Sequence, residues 1–100
     1  VDPEEYSAML AEAVQLWGYG TQALIWIEEM SELIKALAKQ DRKINPSFRE
    51  HVIEEIADVD ICLDQMKILY PEYSEAKERK VARLSRFVEL ERNKQGVTKQ

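Results

Sequence analysis

The sequence predicts an all-α protein, an antiparallel four-helix bundle, and three observations carry that prediction. Apolar residues recur at three- and four-residue intervals over long stretches, whereas no stretch alternates as a strand would. Only three glycines and three prolines punctuate 100 residues, which favours few, long elements. The breaks that do occur divide the chain into four segments, the antiparallel arrangement that short connections allow. A chain of this length holds one modest core, so residues 1–94 are expected to form a single domain, with 95–100 a polar tail.

The first helix is predicted from Pro3, a residue suited to the first helical position after Asp2, with Glu4 and Glu5 in the first turn, where acids suit the helix dipole. Tyr6, Leu10, Ala13, Val14 and Trp17 share one face. Gly18 ends the helix and Gly20 keeps the corner loose. The second is expected over 21–40. Its main apolar arc is Ala23, Trp26, Ile27, Met30, Leu33, Ile34 and Leu37, but Leu24, Ile25 and Ala36 lie outside that arc. A helix apolar on more than one side touches more than its hairpin partner.

Residues 41–45 read as a polar connection, with Asn45 capping a third helix that starts at Pro46 and stops near Tyr70, because Pro71 forbids its continuation. Ser74 is the expected cap of a fourth helix reaching Asn93, with a stripe of Tyr73, Val81, Leu84, Phe87 and Val88. Lys77 and Lys80 fall within that stripe, and Arg83 lies further round toward Ala76.

Hydrophobic residues make up 45% of the chain and charged residues 33%, with a net charge of −5. That composition suits a globular helical fold and argues against a nucleic-acid partner, which needs a broad cationic surface. The lone Cys62 permits no internal disulfide and fits a reducing compartment. No apolar run has membrane-spanning length and no signal-peptide pattern opens the sequence. The expectation is a soluble, cytoplasmic protein with no membrane partner.

Two acidic stretches depart from ordinary helix design. Glu29 with Glu32, and Glu55 with Asp58, are pairs spaced to share a helix face. At about 100° per residue, Glu55 falls among Phe48, Val59, Cys62 and Met66, and Asp58 lies at the edge of that stripe near Leu69. Glu29 and Glu32 flank a line carrying Ile25 and Ala36, away from the main arc of their helix. A carboxylate in an apolar stripe is costly unless paired, protonated or bound to metal. Four of them on two helices point to a hard divalent cation, which takes oxygen ligands. The alternative for Glu29 and Glu32 is a solvated pairing with Lys35, Lys39 or Lys77.

The ordered set of motifs resembles the MazG-like branch of the all-α nucleoside triphosphate pyrophosphohydrolases. The resemblance covers about residues 15–90. It is carried by Trp17-Gly18-Tyr19-Gly20-Thr21-Gln22, by Ile27-Glu28-Glu29-Met30-Ser31-Glu32-Leu33-Ile34, by the stretch from Glu55 to Gln65, and by the basic stretch from Lys77 to Leu84. It implies cleavage between the α and β phosphates of a nucleoside triphosphate, giving the monophosphate and pyrophosphate with Mg2+, or Mn2+ in its place. It also implies a house-cleaning or pool-control role and a homodimer or homotetramer. Glu29, Glu32, Glu55 and Asp58 match the family's metal-ligand positions. Glu28 matches the acid preceding the first ligand, where it would orient or deprotonate water; its other reading is an ion pair with Lys35 or Lys39.

Lys77, Lys80 and Arg83 are candidate phosphate contacts, Arg through paired bonds and Lys as point charges; alternatively their stems cover apolar surface. Trp17 and Gln22 would stack on and hydrogen-bond a base, although Trp17 also continues the stripe of its helix into the core. His51, one turn before Glu55, is either a metal ligand or a polar neighbour of Glu54 or Glu55. Cys62 reads as a small core residue. Two other classes compete: a non-catalytic helical dimerisation module, for which an acid at Glu55 has no use, and a di-iron bundle, which needs Glu-x-x-His pairs that His51 does not supply.

Overall fold

The computed structural model describes residues 1–39 and 47–96. They form four α-helices, α1 (Pro3–Trp17), α2 (Tyr19–Ala38), α3 (Phe48–Leu69) and α4 (Tyr73–Lys94), with no strand among the described residues. The chain divides into two compact units, Val1–Leu69 and Tyr70–Gln100.

Capping chemistry sets the start of α1. The Asp2 carboxylate accepts from the Glu5 amide at 2.8 Å, and Glu5 Oε1 accepts from the Asp2 amide at 3.1 Å. This reciprocal pair satisfies two amides at the helix start, with Pro3 in the first turn. At the other end Gly18 adopts φ 88° and its N–H returns to the Val14 carbonyl, a conformation that disfavours a side chain. The Gly18 carbonyl also accepts the first bond of α2, from Gln22. One glycine therefore makes the whole corner. α2 starts at Tyr19, not at the expected Thr21, and Gly20 lies inside the helix.

α2 and α3 form the principal packing pair, and α1 lies against both. Trp26 is bonded to Gln65, and Glu29 to Asp58, so the two helices run antiparallel. Their inward lines follow alternating steps of three and four residues. On α2 the line is Gln22, Trp26, Glu29, Leu33 and Ala36; on α3 it is Phe48, Val52, Glu55, Val59, Cys62, Met66 and Leu69, all buried or half-buried. That spacing is the seam of a coiled-coil-like helix pair.

The α3 line matches the expected stripe, Glu55 included. The α2 line does not. Of the expected arc, Trp26 is buried and Leu33 half-buried, whereas Ile27, Met30, Ile34 and Leu37 are exposed, Ile34 at 66%. Ala36, placed outside the arc from sequence, is completely buried. α2 has turned its smaller residues and its acid toward α3, and its largest aliphatic arc outward. On α1, Leu10 is buried and Tyr6, Ala13 and Val14 are half-buried, but Trp17 is 62% exposed, so it does not continue the core stripe.

The expected cap and first residue of α3, Asn45 and Pro46, lie outside the described residues, as do the connection 41–45 and tail residues 97–100. α4 begins one residue before Ser74, after Glu72, and no side chain caps it. Ser74 does not serve as the cap: its hydroxyl faces the Pro71 carbonyl at 3.4 Å. Along α4, Val81, Leu84, Phe87 and Val88 are exposed and Ala76 is half-buried. Gly96, at φ 72°, follows the helix end.

Candidate metal centre

Next to the Gly18 corner, the α2–α3 seam carries a buried polar layer. The Trp26 indole N–H donates to Gln65 Oε1 at 2.6 Å. Gln65 Nε2 donates to Gln22 Oε1 and to the Leu10 carbonyl, each at 2.9 Å. Gln22, Trp26 and Gln65 are each about 95% buried. A buried amide is tolerated when its donors and acceptors are matched, and this one ties three helices together. Beside it the Tyr6 hydroxyl donates to Asp64 Oδ2 at 2.8 Å. Burial, that bond and the neighbouring Asp64 and Asp60 charges push the Tyr6 phenol up to about 12.

One turn further along α2, and two turns back along α3, the seam becomes acidic. Glu29, Glu55 and Asp58 each offer a carboxylate oxygen such that the three lie within 4.8 Å of one another. Glu29 and Glu55 are half-buried and Asp58 is exposed, an arrangement open on one side. Helix geometry explains the grouping: Glu55 and Asp58 are three residues apart on α3, and Glu29 sits on the inward line of α2 opposite them.

The electrostatics are those of crowded like charges. Loss of solvent raises the Glu29 carboxyl above its ordinary value first. The Asp58 and Glu55 charges, a hydrogen bond shared with Asp58, and Glu32 then raise it further. Between carboxyl groups such a bond requires a proton, so the protonated form is favoured when nothing else neutralises the group. Glu55 Oε1 is buried and makes no hydrogen bond to any described residue. Its other oxygen, Oε2, stands 4.0 Å from His51 Nδ1. The Cys62 thiol is raised by burial, and then by the Glu29 and Asp58 charges, which disfavours the reactive thiolate.

These observations fit a bound hard cation. The donor set is all oxygen, one buried oxygen has no partner among the described residues, and a positive charge would relieve the repulsion at Glu29.

The remaining residues singled out from sequence are placed as follows. Glu32 is exposed, outside the group of three, with Oε2 3.5 Å from Lys35 Nζ. Glu28 is exposed beside Glu29. Gln22 is committed to Gln65 inside the core and does not stand at an open mouth. Trp17 offers an exposed ring at the end of α1. Lys77 and Lys80 are exposed on α4, and the Arg83 guanidinium lies 5.5 Å from the centre of the Phe87 ring, a cation–π contact.

Sequence reasoning missed Gln65 and its partnership with Trp26 and Gln22. The available signal was weak: a glutamine beside the Cys62–Met66–Leu69 line, and a second glutamine one turn before a tryptophan. No family model, curated protein or solved structure matches the chain. No helix among the described residues is long and apolar enough to cross a membrane.

Proposed function

We propose that the protein is a Mg2+-dependent nucleoside triphosphate pyrophosphohydrolase of the MazG-like kind, releasing pyrophosphate and a nucleoside monophosphate. The observation that supports this reading is the acid cluster across the α2–α3 seam, above all Glu55 Oε1, buried with no hydrogen-bond partner among the described residues. The order of motifs from Trp17 to Leu84 supplies the substrate class. Glu29, Glu55 and Asp58 would hold the cation. Glu32, one turn from Glu29, now stands beside Lys35 and would join them only on leaving that lysine. When bound, magnesium supplies positive charge that neutralises and orients a triphosphate.

The chain's own groups supply the rest. The apolar seam around Glu55 keeps water from one side of the site. Glu28, exposed next to the cluster, accepts a proton from the attacking water. The resemblance assigns phosphate contacts to Lys77, Lys80 and Arg83, which belong to the second compact unit, and the exposed Trp17 ring offers a face to a base. The buried position of Gln22 makes it a support for Trp26 and Gln65, not a direct base contact.

The runner-up, a non-catalytic dimerisation module, draws on the exposed α2 arc of Ile27, Met30, Ile34 and Leu37. Self-association as a homodimer or homotetramer fits both readings. An unpaired buried carboxylate oxygen fits only the first, since a module selected for association gains nothing from it.

The test is a panel of ribo-, deoxyribo- and modified nucleoside triphosphates, assayed with magnesium and scored for pyrophosphate against orthophosphate. Pyrophosphate from at least one substrate, abolished by chelator, is expected. Glu55→Gln and Asp58→Asn should each cut turnover by orders of magnitude with helicity unchanged. Orthophosphate as the sole product, or equal turnover in chelator, would refute the proposal.

A further inference from the structure

The two oxygens of Glu55 stand in unlike surroundings, and His51 lies beside one of them. His51 lies four residues before Glu55 on α3, the spacing that sets two side chains on one helix face. Its Nδ1 is 4.0 Å from Glu55 Oε2, while Oε1 is buried and unbonded. The imidazole side chain is 48% exposed and the Glu55 side chain 14% exposed. The histidine can therefore adjust from outside while the carboxylate is confined.

We propose that His51 is the positioning residue for Glu55, holding Oε2 so that Oε1 is presented to the cation. The inference rests on reading the acid cluster as a cation site. The terminal torsion of a glutamate is broad and nearly two-fold, so an unanchored carboxylate exchanges its oxygens freely. A donor on one oxygen breaks that equivalence. The carboxylate only accepts, so the contact selects the tautomer with hydrogen on Nδ1. Closing the present gap to a hydrogen bond takes a shift of about 1 Å, within reach of a half-exposed ring. His51 is not a member of the group whose ligand atoms lie mutually within 4.8 Å, which places it outside the first ring of ligands. Outer-shell partners of this kind typically change metal affinity by about 10–100-fold.

The experiment titrates Mn2+ into the metal-free protein and follows the free ion by paramagnetic resonance, with Mg2+ as competitor. It compares wild type, His51→Ala and His51→Gln, the last retaining an N–H donor. His51→Ala is expected to weaken Mn2+ and Mg2+ by the same factor, about tenfold or more, and His51→Gln to recover most of the loss. Unchanged affinities in His51→Ala overturn the proposal, as does a glutamine variant no better than alanine. A loss confined to Mn2+ overturns it too, since imidazole suits transition metals better than magnesium and His51 would then be a direct ligand. Wild-type protein that binds neither ion removes the cation site itself, a result distinct from the other three.

Discussion

Glu29 carries the electrostatic burden of the seam. Its carboxyl is raised by lost solvation and by three neighbouring acids, so the folded state holds a proton that the unfolded chain releases. Stability must then fall as pH rises from the ordinary glutamate range through the raised folded value, because the native state binds more protons across that window. Metal-free protein is expected to lose melting temperature over that interval. Glu29→Gln should flatten the loss and raise the neutral-pH Tm by several degrees, as calorimetry across pH would show. Gln65 makes a different demand. Gln65→Leu strands the Trp26 N–H and the Gln22 amide oxygen, each stranded buried group costing about 1–3 kcal/mol. Urea unfolding should report a loss of at least about 2 kcal/mol; a change below about 0.5 kcal/mol would mean that the layer is relieved by water.

Among the elements, α2 departs most from its sequence reading. It carries two inward-capable faces, and the one facing α3 is the poorer in aliphatic volume. Ile27, Ile34 and Leu37, with Leu24, are left exposed on a helix whose opposite side is already packed. Contiguous exposed apolar surface is commonly used for association. The expected occupant is a second copy of the chain, as the MazG-like reading implies. Sedimentation at micromolar concentration should give a dimer or larger species. The double variant Ile27→Lys, Ile34→Lys should shift it toward monomer while the helical signal persists, because both side chains are already exposed. A monodisperse wild-type monomer would count against the assignment.

For the whole molecule, metal binding and folding are expected to be linked. A cation held only by the folded state adds about 2.7 kcal/mol at a hundredfold excess over Kd, and it offsets the neighbouring acid charges that help raise the Glu29 carboxyl. Magnesium or manganese should therefore raise Tm more than sodium at equal ionic strength. Glu55→Gln should leave the metal-free Tm unchanged or higher, yet lose most of the metal-induced rise. If the acids act only as surface charge, sodium and magnesium differ by screening alone, and the variant responds as wild type does. Differential scanning calorimetry separates the two patterns.

The helices themselves were legible from local chemistry. Pro3 after Asp2, Gly18, Pro71 and the three- and four-residue periodicity place four helices to within a few residues, because caps and breakers act through neighbouring backbone. Most of the α3 line was legible for the same reason, with Phe48, Glu55, Val59, Cys62 and Met66 on one stripe and Asp58 at its edge. The orientation of α2 was not. Periodicity ranks faces by hydrophobicity, and on that scale the arc of Ile27, Met30, Ile34 and Leu37 outranks the line of Gln22, Trp26, Glu29, Leu33 and Ala36. Only the tertiary structure brings Gln65 within reach of Trp26 and Gln22, and polar groups become favourable to bury once they are matched across helices. That pairing turns Glu29 toward Glu55 and Asp58 and leaves Glu32 beside Lys35. Composition and spacing determined which acids were out of place; the mutual fit of two helices decided which three of them meet.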